Sequence, residues 1–146
     1  MTLLAYAWLT VATLLPLGKP VSSAVETTAV NVVVTNLPSD KATLKLYFYN
    51  VKANFLVRNQ YTLLKHIKPG GSTKVVYPIQ LPPGEWAIAA TQDLNENDLV
   101  DRNIIGIPVE PFALSNVGHP RFRVPTFEDC KFKVNGPATT VAISMK

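Results

Sequence analysis

Glu85-Trp86-Ala87-Ile88-Ala89-Ala90-Thr91-Gln92 reads as a β-strand by its period of two. Trp86, Ile88 and Ala90 fall on one face and Ala87 and Ala89 on the other, where small side chains suit the close approach of another element. Leu81-Pro82-Pro83-Gly84 is the tight turn that leads into it. Working outward, Val30-Asn31-Val32-Val33-Val34-Thr35 is β-branched and stops at the turn cluster Asn36-Leu37-Pro38-Ser39-Asp40. Residues 43–49 alternate, with Leu44, Leu46 and Phe48 on one face and Lys45 and Tyr47 on the other. Residues 73–79 form a further strand, with Pro78 at an edge or near its end.

Near the C-terminus, Cys130, Phe132 and Val134 alternate with Lys131 and Lys133, and Val141, Ile143 and Met145 form a matching inward set. With Asn135-Gly136-Pro137 between them, the two segments read as a terminal hairpin. Residues 53–67 are undecided: Phe55, Leu56, Asn59, Leu63 and His66 line a short helical face that Val, Asn and Thr oppose. Residues 104–124 lack periodicity and read as one long ordered loop with a strand fragment, a kind of loop that often carries function. The expected fold is all-β, a single antiparallel β-sandwich of immunoglobulin-like or transthyretin-like type.

At 146 residues the chain is the size of one domain and can bury a core without disulfides or metal. Its charged share, 16%, is low against about 25% in typical domains, which favours strands and turns over solvated helices. The net charge of +4 falls to about +3 without Lys19, and the remaining basic residues are spread from Lys41 to Lys146 rather than gathered on one face, so nucleic acid is not an expected partner. Cys130 stands alone and cannot form an internal disulfide; in an exported protein a lone thiol is usually buried, or occasionally pairs between chains.

Residues 3–15 are a nearly unbroken apolar run, too short for a comfortable membrane span of about 20 residues. Pro16, Gly18 and Pro20 break it, and Ser22-Ser23-Ala24 supplies small residues for a peptidase. Residues 1–24 are therefore read as a signal peptide and 25–146 as the mature domain, exported and not integral to the membrane after cleavage. The weak point is an n-region whose only positive charge is the amino group. The alternatives are a first buried element of the domain or an uncleaved anchor.

Asp93-Leu94-Asn95-Glu96-Asn97-Asp98-Leu99-Val100-Asp101 follows the central strand directly. Oxygen-bearing side chains at Asp93, Asn95, Asn97 and Asp101, with a carbonyl from Leu99, have the spacing at which one loop wraps Ca²⁺. It is not an EF-hand: Asp98 holds the place of the turn glycine, Ile104 that of the bidentate glutamate, and the preceding element is a strand. Glu110 is the candidate for the missing acidic ligand. Three readings stand beside one another: a Ca²⁺ site, a cation-free hydrogen-bonded turn, since Asp and Asn hold turns by themselves, and a catalytic carboxylate cluster.

Taken together, residues 81–88, Asp93-Leu94-Asn95-Glu96-Asn97, Asp101, Gly106-Ile107-Pro108-Val109-Glu110, Ser115-Asn116 and Pro125-Thr126-Phe127-Glu128-Asp129 resemble, in order and spacing, the exported bacterial family called domain of unknown function 2141 (DUF2141). The resemblance runs from Val30 to the end. It implies a small β-sandwich exported from a Gram-negative cell, periplasmic or extracellular, with no established activity. The family's loop pattern is Asp-x-Asn-x-Asn-Gly, and this chain has Asp98 in the glycine's place. Glycines also flank the aromatic residue after the family's glutamate, where this chain has Pro111 and Ala113.

Other constellations are weaker. Cys130, His119 and Asp129 could be written as a nucleophilic set, but an inward thiol is inert, and His66 with His119 has no zinc spacing. Arg121-Phe122-Arg123 and Lys131-Phe132-Lys133 could form a basic stripe backed by phenylalanines, or a solvated outer face. Tyr47, Tyr49, Tyr61 and Tyr77 are either half-buried strand residues or sugar-stacking rings. The leading expectation is a non-enzymatic binding or structural module with a Ca²⁺-organised loop. The second is an envelope-binding module for an acidic glycan or lipid through the basic face, and an envelope protein stays open as a partner. The third is a hydrolase using Asp93, Asp101 and Glu110.

Overall fold

The computed structural model describes residues 26–99, 101, 104, 109–118 and 122–145. The apolar N-terminal run, Gly106-Ile107-Pro108, His119 and Arg121 lie outside the described residues, with the readings that rest on them.

The chain is all-β, built as two sheets. Strands β1 (Thr28–Thr35), β4 (Val75–Leu81) and β8 (Ala138–Ser144) form a three-stranded sheet in the order β4-β1-β8. The second sheet runs β3 (Leu63–Ile67), β2 (Thr43–Tyr49), β5 (Gly84–Asp93), β6 (Phe112–Leu114), and β7 (Phe132–Val134) also pairs β5. One α-helical turn, α1 (Phe127–Cys130), precedes β7. Among the described residues no helix is long and apolar enough to cross a membrane.

The period-two reading of β1, β2 and β5 is what builds the core. Val30, Val32 and Val34 of β1, with Val141 and Ile143 of β8, pack against Leu44, Leu46 and Phe48 of β2 and Trp86, Ile88 and Ala90 of β5 in one buried cluster drawn from both sheets. Each such side chain contributes about 1.5–3 kcal/mol by leaving water. The turn Leu81-Pro82-Pro83-Gly84 is closed by the Trp86 indole N–H donating to the Pro82 carbonyl at 3.0 Å, with Gly84 at φ +145°. That conformation is open to glycine and strained for other residues.

The other face of the second sheet is covered as well. Ala87 and Ala89 are small enough to admit Tyr49, Leu114, Phe127 and Cys130 into a second buried cluster, flanked by Tyr47, Phe55, Leu56 and Tyr61. The aromatic rings meet edge to face: Tyr49–Phe55 at 5.4 Å and Phe55–Phe127 at 5.8 Å between centroids. All eight residues from Trp86 to Asp93 are therefore buried.

Four expectations are corrected. The sheets are not purely antiparallel, because β1 and β8 pair in parallel, Ala29 opposite Ala138 and Val34 opposite Ile143. The terminal hairpin does not exist: β7 joins β5 and β8 joins β1, so the Asn135-Gly136-Pro137 turn carries the chain from one sheet to the other. Residues 53–67 are not a helical face; a 3₁₀ turn at Lys52–Asn54 leads to an edge strand, β3, antiparallel to β2. Cys130 ends α1 rather than occupying a strand, although it is fully buried as expected.

Candidate functional site

The 93–101 loop leaves the end of β5 above the covered face of the second sheet. Thr43 lies opposite Asp93 and Lys45 opposite Thr91, so Lys45 and Asp93 are diagonal neighbours on one face, within reach of a long side chain. Lys45 does not point to solvent. It is 1% exposed, and its ammonium lies 2.8 Å from Asp93 Oδ2 and 3.0 Å from Asp98 Oδ1. The ammonium thus stands under the loop as an internal counter-cation.

Asp93 is 2% exposed and shapes the loop. Its Oδ1 accepts the Asn97 backbone N–H at 3.2 Å, and its Oδ2 accepts that of Asp98 at 2.9 Å. Burial pushes the Asp93 carboxyl up, but Lys45 and these N–H donors outweigh it and hold the group below its ordinary value. On Lys45 burial works against the charge, and Asp93 and Asp98 overcome it, so its pKa is raised.

A second group forms around Asp101. The Asn95 amide donates to Asp101 Oδ2 at 2.6 Å and the Asn97 amide to both carboxylate oxygens at 3.0 Å. Asn97 Oδ1 accepts the Leu99 N–H at 2.8 Å, and Asn95 Oδ1 accepts the Asn97 N–H at 3.2 Å. The predicted ligands therefore come together in two subsets. Asp93 turns inward to Lys45, while Asn95, Asn97 and Asp101 converge on one another, with Leu99 engaged through its backbone N–H.

Glu110 lies close enough to both Asp93 and Asp101 to feel their charge. Val109 N–H donates to the Asp101 carbonyl at 2.9 Å and Gln92 N–H to the Pro111 carbonyl at 3.0 Å, which brackets Glu110 between Asp101 and β5. It is 7% exposed, and among the described residues neither carboxylate oxygen has a hydrogen-bond partner. Burial pushes its carboxyl up, and Asp93 and Asp101 add to the effect; the Asp101 and Leu94 N–H groups pull the other way without reaching hydrogen-bond geometry. Among the described residues no three His, Cys, Asp or Glu side chains gather closely enough to hold a metal ion by themselves. An ion here would need amide, carbonyl or water oxygens too.

The raised pKa of Glu110 has a sign. The folded state favours the protonated form, so this group's contribution is full below its ordinary value of 4.5 and is lost as pH rises through the folded value. Glu110→Gln is expected to stabilise the chelator-treated protein at about pH 8 and to bring little gain at about pH 4, read from denaturant midpoints at both.

Asp98 explains the departure from the glycine pattern. Its φ is +62°, the left-handed region where glycine is free and Asp is among the better-tolerated alternatives. Here the strained residue returns an ion pair to Lys45, and His66 Nδ1 lies 3.8 Å away.

The remaining motif residues are fastenings. Ser115 Oγ accepts the Ile88 N–H at 2.9 Å and donates to the Cys130 carbonyl at 2.7 Å, tying β5 to α1. Asn116 donates its amide to the Lys131 carbonyl at 2.6 Å. The Asp129 carboxylate accepts from Thr126 N–H and Oγ1, both 2.7 Å, and from Arg123 through two nitrogens at 2.8 Å. These contacts hold it well below the carboxylate range, Arg123 first. The family model described as an uncharacterized protein conserved in bacteria, DUF2141, matches residues 32–142, which take in both sheets, the loop and these fastenings. The chain belongs to this family. No curated protein and no solved structure matches it.

In this DUF2141 chain the basic stripe is charge-balanced where it is described. Arg123 is paired with Asp129, and Lys131 with Glu128 at 2.7 Å and Glu85 at 2.9 Å, so Lys133 is left as its exposed cation. Phe122 does not back the stripe with core packing; it is 99% exposed. Burial pushes the Cys130 thiol up to about 11, far from a thiolate nucleophile at neutral pH. Sequence alternation alone missed Lys45, the centre of the site. The signal that could have found it was already present: a second sheet face lined by alanines has to be covered, and a lysine on that face then needs a carboxylate.

Proposed function

We propose that this DUF2141 chain is an exported, non-enzymatic binding module of the bacterial envelope, with a β-sandwich architecture of immunoglobulin-like or transthyretin-like type. Its recognition face is the surface around the 93–101 loop, fixed from beneath by Lys45 and organised from outside by Ca²⁺. The observation that carries this reading is a charge imbalance. Lys45 pairs with Asp93 and Asp98, while Asp101 and the buried Glu110 have no ion-pair partner among the described residues, so the loop retains negative charge that a hard divalent cation would offset. The non-catalytic part rests on Asp93, whose carboxylate is already engaged by Lys45 and two backbone N–H groups and has no capacity left for proton transfer.

Thermal melting of the protein in millimolar Ca²⁺ and in chelator tests the cation. Extracellular Ca²⁺ modules bind at about 10⁻⁴–10⁻³ M. With an affinity at the tighter end of that range, 1 mM Ca²⁺ adds about 1.4 kcal/mol and raises the midpoint by about 5 °C. Coincident melting curves would remove the cation from the reading.

A further inference from the structure

The family match and the sequence spacing leave open which oxygens an ion would meet, and the geometry changes the answer that spacing alone suggests. We infer that the divalent-cation site of this loop is centred on Asp101 and Glu110 and not on Asp93, whose place for a cation is taken by Lys45. The inference rests on the cation reading above and narrows it to one side of the loop.

Two observations made on different residues support it. The first is the partition of charge. Lys45 sits at 2.8 Å from Asp93 and 3.0 Å from Asp98, so a metal ion approaching Asp93 would meet an ammonium at contact distance and the repulsion of two like charges. Asp101 has no cationic partner among the described residues; its oxygens are held only by the neutral amides of Asn95 and Asn97. The second is Glu110. Among the described residues, the buried side-chain oxygens without a hydrogen bond are those of Glu110 and Thr91 Oγ1. A carboxylate more than nine-tenths buried with both oxygens unsatisfied is costly unless something positive reaches it. The Val109–Asp101 backbone bond holds Glu110 beside Asp101.

The ligand class follows from the donors. Two carboxylates, with the Asn95 and Asn97 amides beside them, make an all-oxygen set suited to Ca²⁺. Turning either amide to present its oxygen would release an N–H now bonded inside the loop, Leu99 for Asn97 and Asn97 for Asn95. Water completes such a site more cheaply, so the affinity belongs to the weak, extracellular class.

Calorimetric titration of the full chain with Ca²⁺ tests the assignment, using wild type, Glu110→Gln, Asp101→Asn and Asp98→Asn. Glu110→Gln and Asp101→Asn are each expected to weaken binding by about tenfold or more, while Asp98→Asn stays within about twofold of wild type. Melting in chelator accompanies each variant, and Glu110→Gln should melt no lower than wild type, because it removes a buried like charge. If Glu110→Gln does not fold, Asp101→Asn at its half-buried position supplies the same reading. A folded Glu110→Gln or Asp101→Asn that keeps wild-type affinity overturns the inference. Loss of binding in Asp98→Asn with retention in Glu110→Gln puts the ion on the Lys45 side, in which case this assignment falls and the cation-organised module stands. A wild type that takes up no Ca²⁺ removes both.

Discussion

Lys45→Met is expected to destabilise the protein by about 3–5 kcal/mol, the usual cost of removing one partner from a buried ion pair. Asp93 would remain at 2% exposure with its charge uncompensated, and Asp98 would lose the contact that offsets its left-handed backbone. For a domain of this size the midpoint falls on the order of 10–20 °C. The measurement is chemical or thermal unfolding of the two proteins side by side. A loss below about 1 kcal/mol would mean that the pair behaves like an exposed one.

The same pair sets a pH window. Asp93 is held below its ordinary 3.8, so its stabilising contribution is present above that value and is lost as pH falls through the lower folded value. Lys45 is held above its ordinary 10.5, so its contribution is present below that value and is lost as pH rises through the higher folded one. Between these limits the pair is intact, and Lys45→Met should flatten both flanks of the wild-type stability profile.

Ser115→Ala is expected to cost about 2–4 kcal/mol although the change removes one oxygen atom. The side chain is 0% exposed and serves two backbone groups at once, the N–H of Ile88 and the carbonyl of Cys130. Alanine leaves the Ile88 N–H buried without a partner, at about 1–3 kcal/mol, and leaves the Cys130 carbonyl with only the long 3.4 Å contact from the Asn116 amide. Equilibrium denaturation reads the loss, and amide exchange at Ile88 localises it. Exchange there should accelerate more than at Val32, in the middle of the other sheet.

Much of this fold was legible because its central strands obey a period of two. Leu44, Leu46, Phe48, Trp86 and Ile88 all point where alternation places them. The errors share one physical origin. Alternation says which residues share a face, not what covers that face or which strand lies alongside. Alternation puts Lys45 and Tyr47 on the face opposite Leu44, Leu46 and Phe48 and is silent on its cover, which the 50–61 segment and α1 supply near Tyr47 and the acidic loop over Lys45. Asn135-Gly136 carries a hairpin signal, yet the free edge of β1 offers β8 a full register of partners that no local motif encodes. Residues 63–67 are short, with Lys65 and His66 among three apolar residues, so the strand depends on β2 for its definition. At the site, spacing nominated Asp93, Asn95, Asn97, Leu99 and Asp101 as cation ligands, with Glu110 added from the segment that follows. It did not reveal that a lysine from a different strand divides them.

The parallel pairing of β1 with β8 also governs how the chain reaches its native state. Ala29 meets Ala138 across almost the whole length of the domain, so closing that pair carries a large loop-closure entropy before any packing is gained. Topologies of such high contact order fold slowly. A chain leaving a ribosome cannot complete the three-stranded sheet until residues 138–144 have arrived, and until then the edge of β1 stays open. Closure of this sheet therefore waits for β8, and the early folding chain has to keep the open edge of β1 from pairing elsewhere.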